Sequence, residues 1–256
     1  MKLYHGEPNA ASLTVMAAIF EKGIAADFEA IDLCAGQRHT LPISYGTEVV
    51  RSVEGEGPVL VSNGEAMADS VFIGCMLDES AGEPTLVPGD AYQRWLVMTW
   101  CRHVIERVAP AASYLGNQAY LHDSLVAMSD EDFAELVNNV AAEDLRARWE
   151  EVRHGGFTEE RLAECRTKIV QMVEKVEGQL QGDWLFGSFT LADLETYAWL
   201  RGMMHLVPDA FEGHASVVSW MARVQERPSV AKALALSVTG SPEKAWPVGP
   251  EINRWG

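Results

Sequence analysis

Cysteine is scarce in this chain, and its placement excludes several kinds of site. Only four cysteines occur among 256 residues, namely Cys34, Cys75, Cys101 and Cys165. No two of them form a C-x-x-C pair, and the seven scattered histidines include no H-E-x-x-H sequence. We therefore expect no bound metal. Unpaired cysteines are typical of a reducing compartment, which favours a cytoplasmic location.

Basic residues and long apolar runs are also few. The 20 Lys and Arg are outnumbered by 37 Asp and Glu, which gives a net charge of −17. A surface this acidic repels phosphate backbones and anionic lipid headgroups, so we expect neither nucleic-acid binding nor membrane association. No run approaches the roughly 18 apolar residues that a membrane-spanning helix needs. The hydrophobic fraction of 48% is that of an ordinary globular protein.

The first eighty residues alternate between strand and helix patterns. Four short segments have strand character, namely residues 2–5, 27–33, 58–62 and 66–67. Two segments have apolar residues at helical spacing, namely residues 13–20 and 71–77. Asn63-Gly64 predicts a tight hairpin between the last two strands. Residues 1–80 are therefore predicted to form one α/β domain.

Strand patterns disappear after a linker at residues 79–89, which is rich in Gly and Pro. Helical patterns follow over residues 92–114, from 129, over 158–180, 190–207 and 215–226, and from 228. We expect Pro110 to kink or end the first of these helices. Ser129 and Asp132 predict a capping box at the start of the second. Residues 90–238 are predicted to form an all-helical domain.

Residues 239–256 are rich in Gly and Pro and predict an irregular tail. Trp246 and Trp255 lie in this segment. Two tryptophans in a tail indicate that it packs against something, either a groove of this chain or a partner subunit.

Five motifs, taken together, resemble those of the glutathione transferases. Ser12 follows a strand and a turn, where that family places its catalytic Ser, Tyr or Cys. Gly57-Pro58-Val59-Leu60 matches the segment with the family's cis-proline, and Asp69-Ser70 matches the pair that holds the γ-glutamyl end of glutathione. Residues 187–193 resemble its capping-box signature, and residues 223–230 its C-terminal motif. The resemblance covers nearly the whole chain and implies a thioredoxin-like α/β domain followed by an all-α domain.

A narrower resemblance is to the bacterial lignin β-aryl etherases, which are glutathione transferases. Residues 128–133, Arg148-Trp149 and Gly156-Phe157 resemble a helical insertion of those enzymes, and residues 12–24 resemble their first helix. In that chemistry, glutathione thiolate displaces a phenolate from the carbon that bears the aryloxy group. The resemblance implies glutathione as co-substrate, an aromatic small molecule as substrate, and a dimer with an identical or paralogous subunit.

Ser12 is the candidate catalytic residue. The thiol of glutathione is mostly protonated near neutral pH, whereas its thiolate is the nucleophile. A hydroxyl at a helix N-terminus can donate a hydrogen bond to sulfur, and the helix dipole adds positive potential. The alternative is that Ser12 is a simple N-cap. Ala11 stands where the etherases typically carry Asn.

The resemblance assigns Gly57, Pro58 and Val59 to the cysteinyl unit of glutathione. A cis bond before Pro58 would turn the backbone of Gly57 toward the ligand, which would then pair as an added strand. The alternative is an edge-strand proline without a ligand. Gly57 departs from the bulkier apolar residue that is usual in the family.

Four other residues are candidates for the charged ends of glutathione. The resemblance assigns the γ-glutamyl carboxylate to Ser70 and the helix N-terminus, and the α-ammonium to Asp69. Gln37 and Arg38 lie in a loop and are candidates for the glycyl carboxylate. The alternatives are a plain Asp-Ser helix cap and solvated surface side chains.

The leading interpretation is a glutathione-dependent enzyme that cleaves aryl β-ethers. Trp95, Trp100 and Tyr114 are candidates for its aromatic pocket, with core packing as the alternative. Ala11 and Gly57 depart from the family pattern at the site, which leaves open a non-catalytic subunit of a heterodimer. A carrier of aromatic ligands that does not use glutathione is a third hypothesis.

Overall fold

The computed structural model describes residues 1–249. Its N-terminal part contains a mixed sheet of four strands, β1 (Lys2–His5), β2 (Asp27–Ala30), β3 (Val59–Ser62) and β4 (Glu65–Met67), in the order β2-β1-β3-β4. β2 is parallel to β1, whereas β3 is antiparallel to both of its neighbours. The predicted hairpin is confirmed, because Asn63 and Gly64 join β3 to β4 with φ angles of 53° and 85°.

Helices flank this sheet. They are α1 (Ala10–Glu21), the short α2 (Thr47–Val50) and α3 (Ser70–Ser80). The sheet and these helices have the α/β composition that the sequence predicts for this part of the chain.

The rest of the described chain is helical. Its helices are α4 (Ala91–His103), α5 (Ala109–Gly116), α6 (His122–Ala127), α7 (Asp130–Asn139), α8 (Glu143–His154), α9 (Glu159–Gln179), α10 (Leu191–Leu200), α11 (Met203–Leu206), α12 (Ala215–Glu226) and α13 (Pro228–Leu234). Within residues 1–249, no helix is both long and apolar enough to cross a membrane.

The first long helix does not end at Pro110. Two π-helical segments, Val104–Val108 and Asn117–Leu121, join α4, α5 and α6 into one continuous helix. Pro110 lies two residues after the end of the first π segment, near the start of α5. A π turn already interrupts the regular hydrogen-bond ladder, so the missing N–H of proline falls where the ladder is broken.

Two predicted helix caps are confirmed. The Ser129 hydroxyl accepts the backbone N–H of Asp132 at 3.1 Å, at the start of α7. The buried carboxylate of Asp193 accepts the backbone N–H of Thr190 at 2.9 Å, at the start of α10. Asp193 also accepts the indole N–H of Trp220 at 2.9 Å, so this cap also ties α10 to α12.

A polar contact fixes α1 against the helical part. The carboxylate of Glu21, at the end of α1, accepts hydrogen bonds from the guanidinium of Arg227 and the hydroxyl of Ser229. The guanidinium carbon of Arg227 also lies 3.7 Å from the centroid of the Phe189 ring. The C-terminal motif of the sequence therefore holds the two parts of the chain together.

The tail packs against this chain's own helices. Trp246 is only 1% exposed and sits against Gly116 and Gly202, which present no side chain to it. The side-chain amide of Asn117 donates to the carbonyl oxygen of Trp246 at 2.8 Å. Of the two alternatives for Trp246, the structure selects the groove of this chain. Trp255 lies outside the described residues.

Candidate functional site

A cavity of about 520 Å³ opens at the N-terminus of α1, where the sheet domain meets the helices and the tail. Its walls come from the loops after β1 and β2, the start of α1, the loop before β3, α5, α10 and the tail. Its lining residues include Ser12, Glu54, Gly57, Trp199, Lys244 and Trp246. This volume is in the range of small-molecule sites in proteins.

Ser12 lies in the first turn of α1, with its side chain in the wall of the cavity. Its hydroxyl oxygen accepts the backbone N–H of Gly6 at 3.1 Å, which leaves the hydroxyl proton available to a ligand. Asn9, and not Ser12, is the N-cap residue of α1. The alternative role of Ser12 as a simple N-cap is therefore wrong.

Asn9, the polar residue three positions before Ser12, is hydrogen-bonded to the tail. Asn9 donates its side-chain amide to the carbonyl oxygen of Ala245 in the tail at 3.0 Å. Its other side-chain atom, Oδ1, is buried and has no hydrogen-bond partner in the described chain. Ala10 has a φ of 47°, a strained conformation for a residue with a side chain. The start of α1 is thus held in an unusual geometry where the cavity opens.

The cis bond that the family has at this position is not found before Pro58. Among the described residues the cis peptide bond precedes Pro84, and the bond from Gly57 to Pro58 is trans. A residue before proline is restricted by clashes of its Cβ with the proline ring, and Gly57 has no Cβ. The trans form is also preferred by about 0.5–1 kcal/mol. β3 lies between β1 and β4, so the edge-strand alternative is also wrong.

The structure brings only part of the predicted cysteinyl subsite to the cavity. Gly57 lines it, whereas Pro58 and Val59 are buried behind it. Val59 begins β3 and pairs with Tyr4 of β1, so it belongs to the sheet.

The predicted γ-glutamyl subsite is occupied by a side chain of the protein itself. Glu54 accepts the backbone N–H of Ser70 at 2.9 Å and also contacts the Ser70 hydroxyl. That hydroxyl lies 2.9 Å from a carboxylate oxygen of Glu195. Ser70 is fully buried and does not line the cavity. The head of α3 therefore already holds a carboxylate.

Asp69, the other member of this pair, faces away from the cavity. Its φ is 67°, and its carboxylate accepts the Ser52 hydroxyl at 2.6 Å and the Glu54 backbone N–H at 3.3 Å. It lines a second groove on the outside of α3 and α4. The structure thus separates Asp69 from Ser12, which the sequence analysis expected to share one ligand.

Gln37 and Arg38 do not reach the cavity. The guanidinium of Arg38 is buried and donates to the carbonyl oxygens of Val49, at 2.7 Å, and Gly55. Gln37 is exposed, and its side-chain oxygen accepts the backbone N–H of Asp32 at 2.8 Å. Among the described residues, Lys244 of the tail is the cation that lines the cavity instead. No pattern in the sequence singled out Lys244.

The aromatic wall is also different from the predicted one. Trp95 is 57% exposed, whereas Trp100 and Tyr114 are buried in the core, and none of the three lines the cavity. Core packing is therefore the correct alternative for Trp100 and Tyr114. Trp199 of α10 and Trp246 of the tail form the aromatic wall, with their ring centroids 6.3 Å apart.

The cysteines offer no nucleophile at neutral pH. Cys34 lines the cavity, but burial and the carboxylates of Asp32 and Glu56 raise the pKa of its thiol to about 12. Burial also raises the pKa of Cys75 and of Cys165 to about 11. A thiol nucleophile at this site therefore has to come from a ligand. Residues 1–249 contain no cluster of His, Cys, Asp and Glu that could hold a metal ion.

Comparison with known proteins agrees with this fold. Residues 131–236 match the family model of the glutathione S-transferase C-terminal domain. The chain is 26% identical to protein LigF of Sphingobium sp. strain NBRC 103272 / SYK-6 over 242 residues, which cover 90% of this chain and 91% of LigF. The crystal structure of β-etherase LigF from strain SYK-6 aligns with a TM-score of 0.80, over 92% of this chain and 99% of that one.

A plant protein shares the fold at lower identity. Glutathione transferase F7 from Populus trichocarpa is 18% identical and aligns with a TM-score of 0.64, over 91% of this chain and 98% of that one. Part of the helical half therefore matches the family model of the glutathione S-transferase C-terminal domain, and the architecture over most of the chain is similar to that of β-etherase LigF.

Proposed function

We propose that this protein cleaves aryl β-ethers with the thiolate of glutathione. The observation that carries the proposal is the cavity itself, because it combines the available hydroxyl proton of Ser12 with an aromatic wall. The similarity to β-etherase LigF over most of both chains supports the choice of substrate. In this reaction the thiol proton leaves to solvent, the thiolate forms a C–S bond, and the C–O bond electrons leave with the phenolate.

Ser12 stabilises the thiolate in this proposal. Its hydroxyl donates to the sulfur, and the N-terminus of α1 adds positive potential. The first turn of α1 carries no acidic residue that would cancel this potential. Both effects lower the pKa of the bound thiol and raise the thiolate fraction at neutral pH.

The other wall of the cavity receives the ether. Trp199 and Trp246, each at most 3% exposed, contribute apolar surface to this wall, against which the aryl rings of the substrate pack. Gly57 lines the same cavity as Ser12, so its backbone can face the cysteinyl unit of glutathione. Lys244 is exposed at the rim, and its ammonium suits the glycyl carboxylate of glutathione. It takes the role that the sequence analysis gave to Gln37 and Arg38.

The test is a direct assay of the purified chain. The substrate is an aryl ketone with a β-ether whose leaving phenol fluoresces only when it is released. We expect fluorescence to rise with glutathione and to remain at background with S-methylglutathione, which has no thiol. If glutathione and S-methylglutathione give the same rate, the proposal is wrong.

The partner in this proposal is an identical or paralogous subunit. Phe72 and Tyr92 are 66% and 64% exposed, and Trp95 lies stacked on Tyr92. Phe72 also lines a groove of about 390 Å³, whose other lining residues include Arg102 and Glu106. Arg102 and Glu106 already pair within one chain at 2.7 Å, so the exposed aromatic side chains are the surface that we propose for contact with a second subunit. Light scattering on the purified chain measures the resulting mass.

A non-catalytic subunit is the second candidate function. The observation that favours it is Glu54, which fills the place expected for a glutathione carboxylate beside Ser70. In this case the isolated chain binds glutathione weakly and releases no phenolate, whereas adding a catalytic paralogue restores activity and doubles the mass seen by light scattering. Turnover by the isolated chain would exclude this candidate.

A further inference from the structure

The N-terminus of α3 holds a carboxyl group that belongs to the protein. A helix N-terminus presents unpaired backbone N–H groups and positive potential, so it attracts carboxylates. At the head of α3, the carboxylate is that of Glu54, which accepts the backbone N–H of Ser70 at 2.9 Å. α3 spans 11 residues, long enough to have a full N-terminal turn. The first backbone N–H of this turn and the Ser70 hydroxyl are therefore already engaged.

Glu54 also stands between the cavity and Ser70. Its side chain lines the cavity, although Glu54 is only 3% exposed. Ser70, directly behind it, has no exposed surface at all. A ligand in the cavity meets Glu54 first and cannot contact Ser70 unless the Glu54 side chain moves away.

Gly57 provides the space that Glu54 fills. A Cβ atom at position 57 would lie 2.9 Å from Oε2 of Glu54 and 3.4 Å from its Cβ. The first distance is shorter than ordinary van der Waals contact, so a residue with a side chain would push the carboxylate away. The glycine that departs from the family pattern and the internal carboxylate are thus parts of one arrangement.

The acidic groups around Glu54 disfavour the binding of a further carboxylate. Glu195 and Asp69 both lie beside the same helix terminus, and burial together with their repulsion raises the pKa of Glu54. The Ser70 hydroxyl has one proton but contacts both Glu54 and Glu195, so one of these carboxyl groups carries a proton. Oε2 of Glu54 has no hydrogen-bond partner in the described chain.

We propose that Glu54 sets the thiol specificity of the cavity. It replaces the α-carboxylate of the γ-glutamyl group at the head of α3, so a thiol tripeptide that lacks this carboxylate binds as well as glutathione does. This inference rests on the proposed function, because it concerns the thiol co-substrate of the same site. The proposed class of co-substrate is therefore cysteinyl peptides, which the cavity recognises by their thiol and their C-terminal end.

The test compares two thiols by isothermal titration calorimetry on the full chain. One is glutathione, and the other is 4-aminobutyryl-cysteinyl-glycine, the same tripeptide without the α-carboxylate. We expect the wild-type dissociation constants to agree within about threefold. In Glu54→Ala the head of α3 is open, so glutathione should bind at least tenfold more tightly than in the wild type, and the analogue should not. Glu54→Gln keeps an acceptor on Ser70 and is the matched control, which should behave like the wild type.

Gly57→Ala is a second route to the same result, because its Cβ displaces the Glu54 carboxylate without deleting it. It should shift the preference toward glutathione in the same direction as Glu54→Ala. The proposal is overturned if the wild type already prefers glutathione to the analogue by tenfold or more, or if Glu54→Ala binds glutathione no better than the wild type. A failure of the proposed function is recognised separately. It is seen as an absence of phenolate release, which does not depend on the dissociation constants of the two thiols.

Discussion

The backbone N–H of Gly6 donates to the hydroxyl oxygen of Ser12 at 3.1 Å, across the turn that joins β1 to α1. Gly6 directly follows β1. Because β1 pairs with both β2 and β3, the position of Gly6 is fixed by the sheet. The donor on Gly6 therefore orients the Ser12 hydroxyl with respect to the sheet. Because one lone pair of the oxygen is used, the proton can be donated into the cavity.

Replacing this hydroxyl tests its role. We expect Ser12→Ala to lower kcat for glutathione-dependent ether cleavage by about 10- to 100-fold, because a hydrogen bond to a charged group contributes about 1.5–3 kcal/mol. The pKa of the bound thiol, measured by thiolate absorbance during a pH titration, should rise. Ser80→Ala removes an exposed hydroxyl at the end of α3 and is the control. Unchanged kcat and an unchanged thiol pKa in Ser12→Ala would remove Ser12 from the mechanism.

Local chemistry made part of this structure predictable. Asn63-Gly64 needs positive φ angles at both positions, which only a few residues adopt easily, so it predicted the hairpin. Thr190 and Asp193 are three residues apart at the start of α10, and the Asp193 carboxylate accepts the backbone N–H of Thr190. This cap was therefore also predictable. In both cases the interacting residues are neighbours in the sequence, and no distant part of the chain decides the outcome.

The polar wall of the cavity was not predictable in this way. Glu54 is buried because Ser70, 16 residues later, offers it two hydrogen-bond donors. Arg38 is withdrawn from the cavity because the carbonyl oxygens of Val49 and Gly55 converge on it. Lys244 reaches the cavity only because the tail folds back over α5. Each of these positions depends on tertiary contacts that no short pattern records.

The packing of Trp246 against Gly116 predicts opposite effects for two similar substitutions. Gly116→Ala would place its Cβ 2.2 Å from the indole of Trp246, so we expect a loss of about 1–3 kcal/mol in the free energy of unfolding. Gly178→Ala, near the end of α9, meets no atom within 4 Å and should be neutral or stabilise by up to about 1 kcal/mol. Urea unfolding followed by tryptophan fluorescence measures both. Equal effects of the two substitutions would show that Trp246 does not pack against Gly116.

The contact between α1 and α13 predicts a difference between two arginines. Arg227 donates to Glu21, whose side chain is only 8% exposed, and covers the Phe189 ring. We expect Arg227→Ala to lower the free energy of unfolding by about 1–3 kcal/mol, because it leaves a nearly buried carboxylate with fewer donors. Arg223 pairs at 3.5 Å with Asp183, which is 73% exposed. Arg223→Ala should therefore cost less than about 1 kcal/mol. The two losses are compared by thermal or urea unfolding, and equal values would contradict the assigned role of Arg227.

The buried carboxyl of Glu54 predicts how stability changes with pH. Burial and the neighbouring carboxylates of Glu195 and Asp69 raise the pKa of Glu54 above its ordinary value of 4.5. The folded chain therefore holds this proton more tightly than the unfolded chain does. Its contribution to stability is full below pH 4.5 and is lost as the pH rises through the folded pKa.

Glu54→Gln cannot ionise, so it escapes this loss. We expect its free energy of unfolding to exceed that of the wild type by an amount that grows from pH 5 to pH 8, at about 1.4 kcal/mol for each unit by which folding raises the pKa of Glu54. Glu195, whose pKa burial also raises, titrates in both proteins, so only the difference between them reports on Glu54. Glu131→Gln, on the exposed face of α7, should differ from the wild type by an amount that does not change with pH. Parallel urea-unfolding curves for wild type and Glu54→Gln at pH 5, 6.5 and 8 would mean that Glu54 is ionised in the folded chain over this whole range.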